Sequence, residues 1–284
     1  MVYKYTKHKD ENHNKIMIIG LLSFIVFLSA FFAFKVIFSD NVEIDKTKNG
    51  KIGTLCPIVN GKPTPLNHSV ILIDTTDSLD TLQLESLESN VIDIVSSLKP
   101  GDLLSIFTLS GSNTKERAPL FEKCLPRDGS DADSLTENQK KMRKSYISEF
   151  ENPLLHSIKS IGQEAKKAKV SPIFERIQFI GVASFEHWKS NGKKNLYLFS
   201  DMLHNTPSYS MFKIKDNNYD AFKKTSYAIK VKSNLTDVDV EIYRFNNHPE
   251  LQKNGNSIFW QEYFKDAGGK LQLIKNLGSD TFQE

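Results

Sequence analysis

The chain has 284 residues, enough for one large domain and an anchor, with an ordinary globular balance of 39% hydrophobic and 25% charged residues. Its net charge of +3 sits in the first 39 residues, where Lys4, Lys7, Lys9, Lys15 and Lys35 face only Asp10 and Glu11, and the remaining 245 residues balance 32 basic against 32 acidic side chains. A neutral domain has no electrostatic footprint for a phosphate backbone, which excludes nucleic acid as the expected partner; the basic clusters at 140–144 and 166–169 read as solvated helix faces.

The first predicted element is the apolar run Ile16–Phe34, 19 residues without a charge. As a helix it is about 28 Å long, close to the hydrocarbon thickness of a bilayer. Leu28-Ser29-Ala30 places Leu where a cleavage site wants a small residue, so an uncleaved transmembrane helix is expected over 16–38, after a short tail at 1–15. Lysines flank it evenly, four before it and Lys35, Lys46, Lys48 and Lys51 after it, and so do not set its orientation. The two cysteines, Cys56 and Cys124, tip the balance. An isolated even pair fits one disulfide outside the cytosol; two unrelated buried thiols is the alternative. The expectation is a single-pass protein with its N-terminus cytoplasmic and its domain extracytoplasmic.

Residues 39–68 read as a tether, being polar with Gly53, Pro57, Gly61, Pro63 and Pro65 and no sustained period. The folded domain is expected over 69–284. Val70–Ile73 is a wholly apolar central strand, and Leu79–Leu98 a helix with Leu84, Leu87, Val91, Ile94, Val95 and Leu98 on one stripe. Strands follow at Leu103–Leu109 and Pro119–Cys124. Met142, Tyr146 and Phe150 mark a helix, and Asn152-Pro153 reads as the cap of a new one; another begins at Ser171-Pro172. Asn195–Phe199 is a strand ending at Ser200-Asp201. A helix near 220–230, a strand at Val238–Phe245, a helix at Ile258–Ala267 and a last strand at Leu271–Ile274 complete the chain, with Trp188 and Trp260 on helical stripes as core. The alternation predicts an α/β fold, a mostly parallel central sheet flanked by helices.

Ligands of such sheets sit beyond the carboxyl ends of the strands. There the sequence places Asp74-Thr75-Thr76-Asp77-Ser78, Asp201 and, before a helix, Ser171-Pro172. These offer hard oxygen donors without His or Cys, a set that suits Mg2+ or Mn2+ and not zinc. Asp74-x-Thr76-x-Ser78, Ser171-Pro and Asp201 resemble the metal-ion-dependent adhesion site of von Willebrand factor A (VWA) domains, with Thr76 and Ser171 as hydroxyl-for-hydroxyl departures from the usual Ser and Thr. The resemblance covers roughly 69–276. It implies a Rossmann-like fold in which Thr76 and Ser78 bind the metal directly, Asp74 and Asp201 largely through water, and Ser171 according to ligand state. It also implies a partner protein that presents Asp or Glu to the metal. Asp77, Glu175, His204 and Tyr209 are expected on the partner-binding rim, within and around the loop 202–212.

The expected function is therefore a membrane-anchored VWA-like domain that binds a partner protein through a Mg2+- or Mn2+-dependent site, as part of a membrane complex. An enzyme is not expected. A metal-dependent phosphatase or hydrolase with Asp74 as nucleophile would want a second acid two residues on, where Thr76 stands, and no GxSxG, HExxH or GxxxxGK[ST] occurs. A structural scaffold with a silent metal site is the remaining alternative.

Overall fold

Val70, Ile71, Leu72 and Ile73 are apolar at every position, so the strand that carries them must be covered on both faces and flanked on both edges. In the computed structural model, which describes residues 44–45, 53–111, 118–164, 167–190, 192–213 and 218–277, it is so placed. This strand, β3 (His68–Asp74), is buried throughout. It pairs in parallel with β4 (Leu103–Leu109) on one side and β6 (Lys194–Ser200) on the other. The sheet runs β5 (Phe121–Cys124), β4, β3, β6, β7 (Val238–Phe245), β8 (Lys270–Leu277), all parallel except β5. The chain winds outward from β3 through β4 to β5, then crosses back to add β6 on the far side of β3. A topological switch point thus opens between the carboxyl ends of β3 and β6.

Alternation along β3 divides the core in two. Val70 and Leu72 face α4 (Ile173–Ile180) and α7 (Asn254–Asp266), through Phe174, Ile177, Phe259 and Trp260. Ile71 and Ile73 face α1 (Thr81–Ser97) and α3 (Asn152–Glu164), through Leu87, Val91, Leu154 and Ile158.

The structure departs from the sequence reading in several places. The helix at 139–164 does not restart at Asn152-Pro153. It runs on from α2 (Gln139–Tyr146) through a π turn, Ile147–Glu151, into α3. Pro153 lacks the N–H that the Glu149 carbonyl would accept, and Lys123 Nζ donates to that carbonyl at 2.6 Å instead. The π turn sets Phe150 fully inside, edge-on to Phe121. The stretch 220–230 forms two short helices, α5 (Tyr219–Phe222) and α6 (Ser226–Lys230), the second capped by Thr225 Oγ1.

The tether expected over 39–68 is in its second half part of the domain. Leu55 and Cys56 are buried, the Cys124 N–H donates to the Thr54 carbonyl, and Cys56 and Cys124 form a disulfide. Ile58–Val59 (β1) and Lys62–Pro63 (β2) make a hairpin around Asn60-Gly61, both at positive φ, the two-residue turn that suits this pair. The transmembrane helix expected over 16–38 lies outside the described residues. Among the described residues no helix is long and apolar enough to cross a membrane.

Candidate metal site

The switch point collects the residues that the sequence put at strand ends. Asp74 closes β3, and its buried carboxylate is surrounded by hydroxyls. Thr76 donates to Oδ1 from both Oγ1 (2.6 Å) and its backbone N–H (3.0 Å). Ser200 Oγ donates to Oδ2 at 2.7 Å and Ser171 Oγ at 3.4 Å. Ser200 was not singled out in the sequence; the pairing of Ile73 with Phe199 puts it across from Asp74. Ser171 arrives from the segment before α4, clamped to the loop after β6 by reciprocal backbone bonds with Asn205 of 2.7 and 2.9 Å.

Asp201 follows β6 directly, is buried, and accepts the Leu203 N–H at 2.9 Å. Met202, next in the chain, holds a left-handed backbone (φ 59°). Its carbonyl accepts Trp260 Nε1 at 2.9 Å and Asn256 Nδ2 at 3.2 Å, bonds that fix the turn presenting Asp201. Asp77 is half-buried at the bend after β3, and Ser78 is exposed beyond it.

Burial raises the Asp74 carboxyl above the ordinary carboxylate range, against the opposing hydrogen bonds from Thr76 and Ser200, and the Asp77 charge adds to the rise. Burial raises Asp201 further, helped by the charges of Asp74 and Asp77. Three carboxylates therefore repel one another, and no Lys or Arg pairs with them among the described residues. One ligand atom each of Asp77, Asp201 and His248 lies within 4.8 Å of the others. His248 is a further residue the sequence did not single out. Carboxylates, neutral hydroxyls and one imidazole around an uncompensated negative charge fit a divalent cation.

The expected rim is placed differently. His204 is fully buried, not at the rim. Its ring lies tilted against Phe174 (centroids 4.5 Å), its Nδ1 accepts the Phe174 N–H at 3.5 Å, and its Nε2 lies 2.9 Å from the Tyr227 hydroxyl. A polar loop residue next to a site has folded under it. Tyr209 is half-buried in the same aromatic cluster, 4.8 Å from Phe222. Glu175 is half-buried and accepts the Tyr227 hydroxyl at 2.7 Å. Trp260 is core, while Trp188 is half-buried and donates to Glu122.

No protein-family model matches the chain. No curated protein matches it either. Among solved structures it is similar to an aerotolerance-related membrane protein from Bacteroides fragilis NCTC 9343, at 11% identity over 75% of this chain and 92% of that one, with a TM-score of 0.37. It is similar also to the VWA domain of SpRpn10, at 12% identity over 74% and 87%, with a TM-score of 0.37. Scores this low carry no weight for function. The fold itself is an α/β sheet of six strands, parallel except for β5, with Asp74, Thr76 and Ser171 joined by hydrogen bonds at its switch point.

Proposed function

We propose that this chain is a membrane-anchored VWA-like domain whose divalent cation, Mg2+ or Mn2+, grips an acidic side chain of a partner protein. The observation that carries this reading is the buried Asp74 carboxylate, held by the hydroxyls of Thr76, Ser171 and Ser200 beside Asp201, with no basic counter-charge among the described residues. Asp74, Thr76, Ser78, Ser171 and Asp201 would hold the ion. When bound, the cation supplies a Lewis-acidic position that a partner carboxylate can occupy. The chain's own groups keep that position electrophilic. The hydroxyls of Thr76, Ser78 and Ser171 are neutral, and Asp74 is already engaged on both oxygens, so little of the ionic charge is cancelled from within.

The same engagement argues for a binding module over a hydrolase. A nucleophilic Asp74 would need a free oxygen, and here both of its oxygens accept hydrogen bonds from Thr76, Ser171 and Ser200. The run Ile16–Phe34 supports the anchor, and the Cys56–Cys124 disulfide supports a domain outside the cytosol.

The test uses the full chain purified in detergent. Mg2+ or Mn2+ at about a hundred times its Kd should stabilise it by about 2.7 kcal/mol through mass action. Asp74→Ala should abolish the shift in Tm with the far-UV spectrum unchanged; equal stabilisation of the variant would place the ion elsewhere. Capture of the partner from solubilised membranes should weaken alike on chelation and in Asp74→Ala, with no further loss when combined. A partner retained under both conditions would favour the scaffold reading instead.

A further inference from the structure

Given the cation site proposed above, we infer that His248 is one of its ligands, and that the site takes a first-row transition dication such as Mn2+ or Co2+ in preference to Mg2+. Asp77, Asp201 and His248 come from the segments after β3, β6 and β7, neighbouring strands at the switch point, so the fold and not proximity in sequence brings them together. Their ligand atoms already lie within 4.8 Å of one another. Octahedral bonds of about 2.1 Å put opposite donors about 4.2 Å and adjacent donors about 3.0 Å apart, so closures of up to about 1.8 Å between adjacent pairs bring all three round one ion.

The loop that bears His248 is anchored as a ligand loop should be. The His248 N–H donates to Gln252 Oε1 at 2.8 Å, and Gln252 Nε2 donates to the carbonyls of Asp201 (2.9 Å) and Phe245 (2.6 Å). Buried Gln252 thus ties the histidine's backbone to that of its fellow ligand Asp201. From the other side Gln83 Nε2 donates to Asn247 Oδ1 at 2.7 Å, and Gln83 belongs to the capping box with Asp80, three residues after Asp77. Phe212 meets the imidazole edge-on at 5.1 Å. The Glu250 carboxylate lies 3.7 Å from Nδ1, longer than a hydrogen bond.

An imidazole changes which ion the site prefers. Mg2+ keeps to oxygen, whereas Mn2+ and, more strongly, Co2+ accept nitrogen beside carboxylates. The competing arrangement is a protonated His248 that acts as a counter-cation in place of a metal. It makes the opposite prediction, because removing the imidazolium would then strengthen binding of every dication.

Titration calorimetry of the full chain in detergent with Mn2+, Co2+ and Mg2+ separates these. The wild type should bind Mn2+ and Co2+ at least about tenfold more tightly than Mg2+. His248→Ala should lose on the order of ten- to a hundred-fold for Mn2+ and Co2+ with little change for Mg2+. His248 sits on a partly exposed loop, and a Tm taken with chelator present checks the fold of the variant. Pulsed EPR of the Mn2+-loaded wild type should show 14N coupling that His248→Ala removes. No nitrogen coupling in the wild type, an unchanged Mn2+ to Mg2+ ratio in the variant, or tighter binding of all three ions by it would each overturn the assignment of His248 and leave the cation site standing. A wild type that binds none of the three ions would overturn the cation site as well.

Discussion

Burial without a counter-charge holds the imidazoles of His68 and His204 neutral, each pulled down to about 3, with the Lys194 charge adding to the effect at His68. In the unfolded chain both return to about 6.5. The folded pKa lies below the unfolded one, so the unfolded state binds more protons between the two values. The stability these groups allow is complete above about pH 6.5 and is lost as the pH falls towards 3, at roughly 1.4 kcal/mol from each by pH 5.5. Urea midpoints at pH 7.5 and 5.5, taken in chelator, should differ less in His68→Asn, in His204→Gln and least in the double variant. An unchanged pH dependence in the double variant would assign the acid sensitivity to other groups. At this scale the sequence was readable where chemistry and position coincide. Asp74, Thr76 and Asp201 stand directly after apolar runs and so announce a strand-end site. Ser200 does not, because a serine that ends a strand has no signature until strand pairing sets it against Asp74. His248, within Asn246-Asn247-His248-Pro249, has no ligand spacing to any other residue; only the parallel pairing of β3, β6 and β7 gives it partners. His204 departs from its expected place at the rim because a loop histidine looks the same in sequence whether it lines a rim or folds beneath one.

Among the elements, α1 does more than cover a face of the sheet. Asp80 caps it, with Oδ1 accepting the Gln83 N–H at 2.8 Å, while Gln83 Oε1 accepts the Asp80 N–H at 3.1 Å. Gln83 alone extends to Asn247, beside His248. The two residues of one capping box therefore have separable effects. Asp80→Ala and Gln83→Ala should each cost about 1 kcal/mol in chemical denaturation. Only Gln83→Ala should also weaken Mn2+ binding, several-fold, because it frees the loop after β7. Equal loss of Mn2+ affinity in both variants would mean that the cap itself, and not the clip to Asn247, shapes the site. Element types were legible from hydrophobic period alone, and β4 and β7 match in both bounds. The boundaries that failed did so for local reasons. Pro153 marks a helix start in sequence, and here it is accommodated within a helix because Lys123, from a strand beside it, satisfies the carbonyl it leaves open.

For the whole molecule, the decisive feature is how residues 53–67 join the domain. Their Gly- and Pro-rich composition suits a tether, and it suits equally a short hairpin at the edge of a sheet; Asn60-Gly61 was the signal for the second. The Cys56–Cys124 disulfide fastens this segment to β5 across a sequence separation of 68 residues, with Trp188 packed against the pair. Closing a loop of that length stabilises the fold by roughly 4 kcal/mol in a chain-entropy estimate. A shift in Tm on the order of ten degrees is then expected for Cys56→Ser with Cys124→Ser, measured in the full chain. The same bond reports the compartment, because cytosolic thiols are kept reduced and extracytoplasmic pairs are not. Intact cells treated with a thiol-blocking reagent, then denatured without reductant, should yield protein with no labelled cysteine, and labelling should appear at both positions only after reduction. Two labelled cysteines before reduction would remove the argument for an extracytoplasmic domain, since the even distribution of lysines around 16–34 cannot replace it. In that case the stability lost in the double serine variant should vanish too, because the protein in the cell would never have held the cross-link.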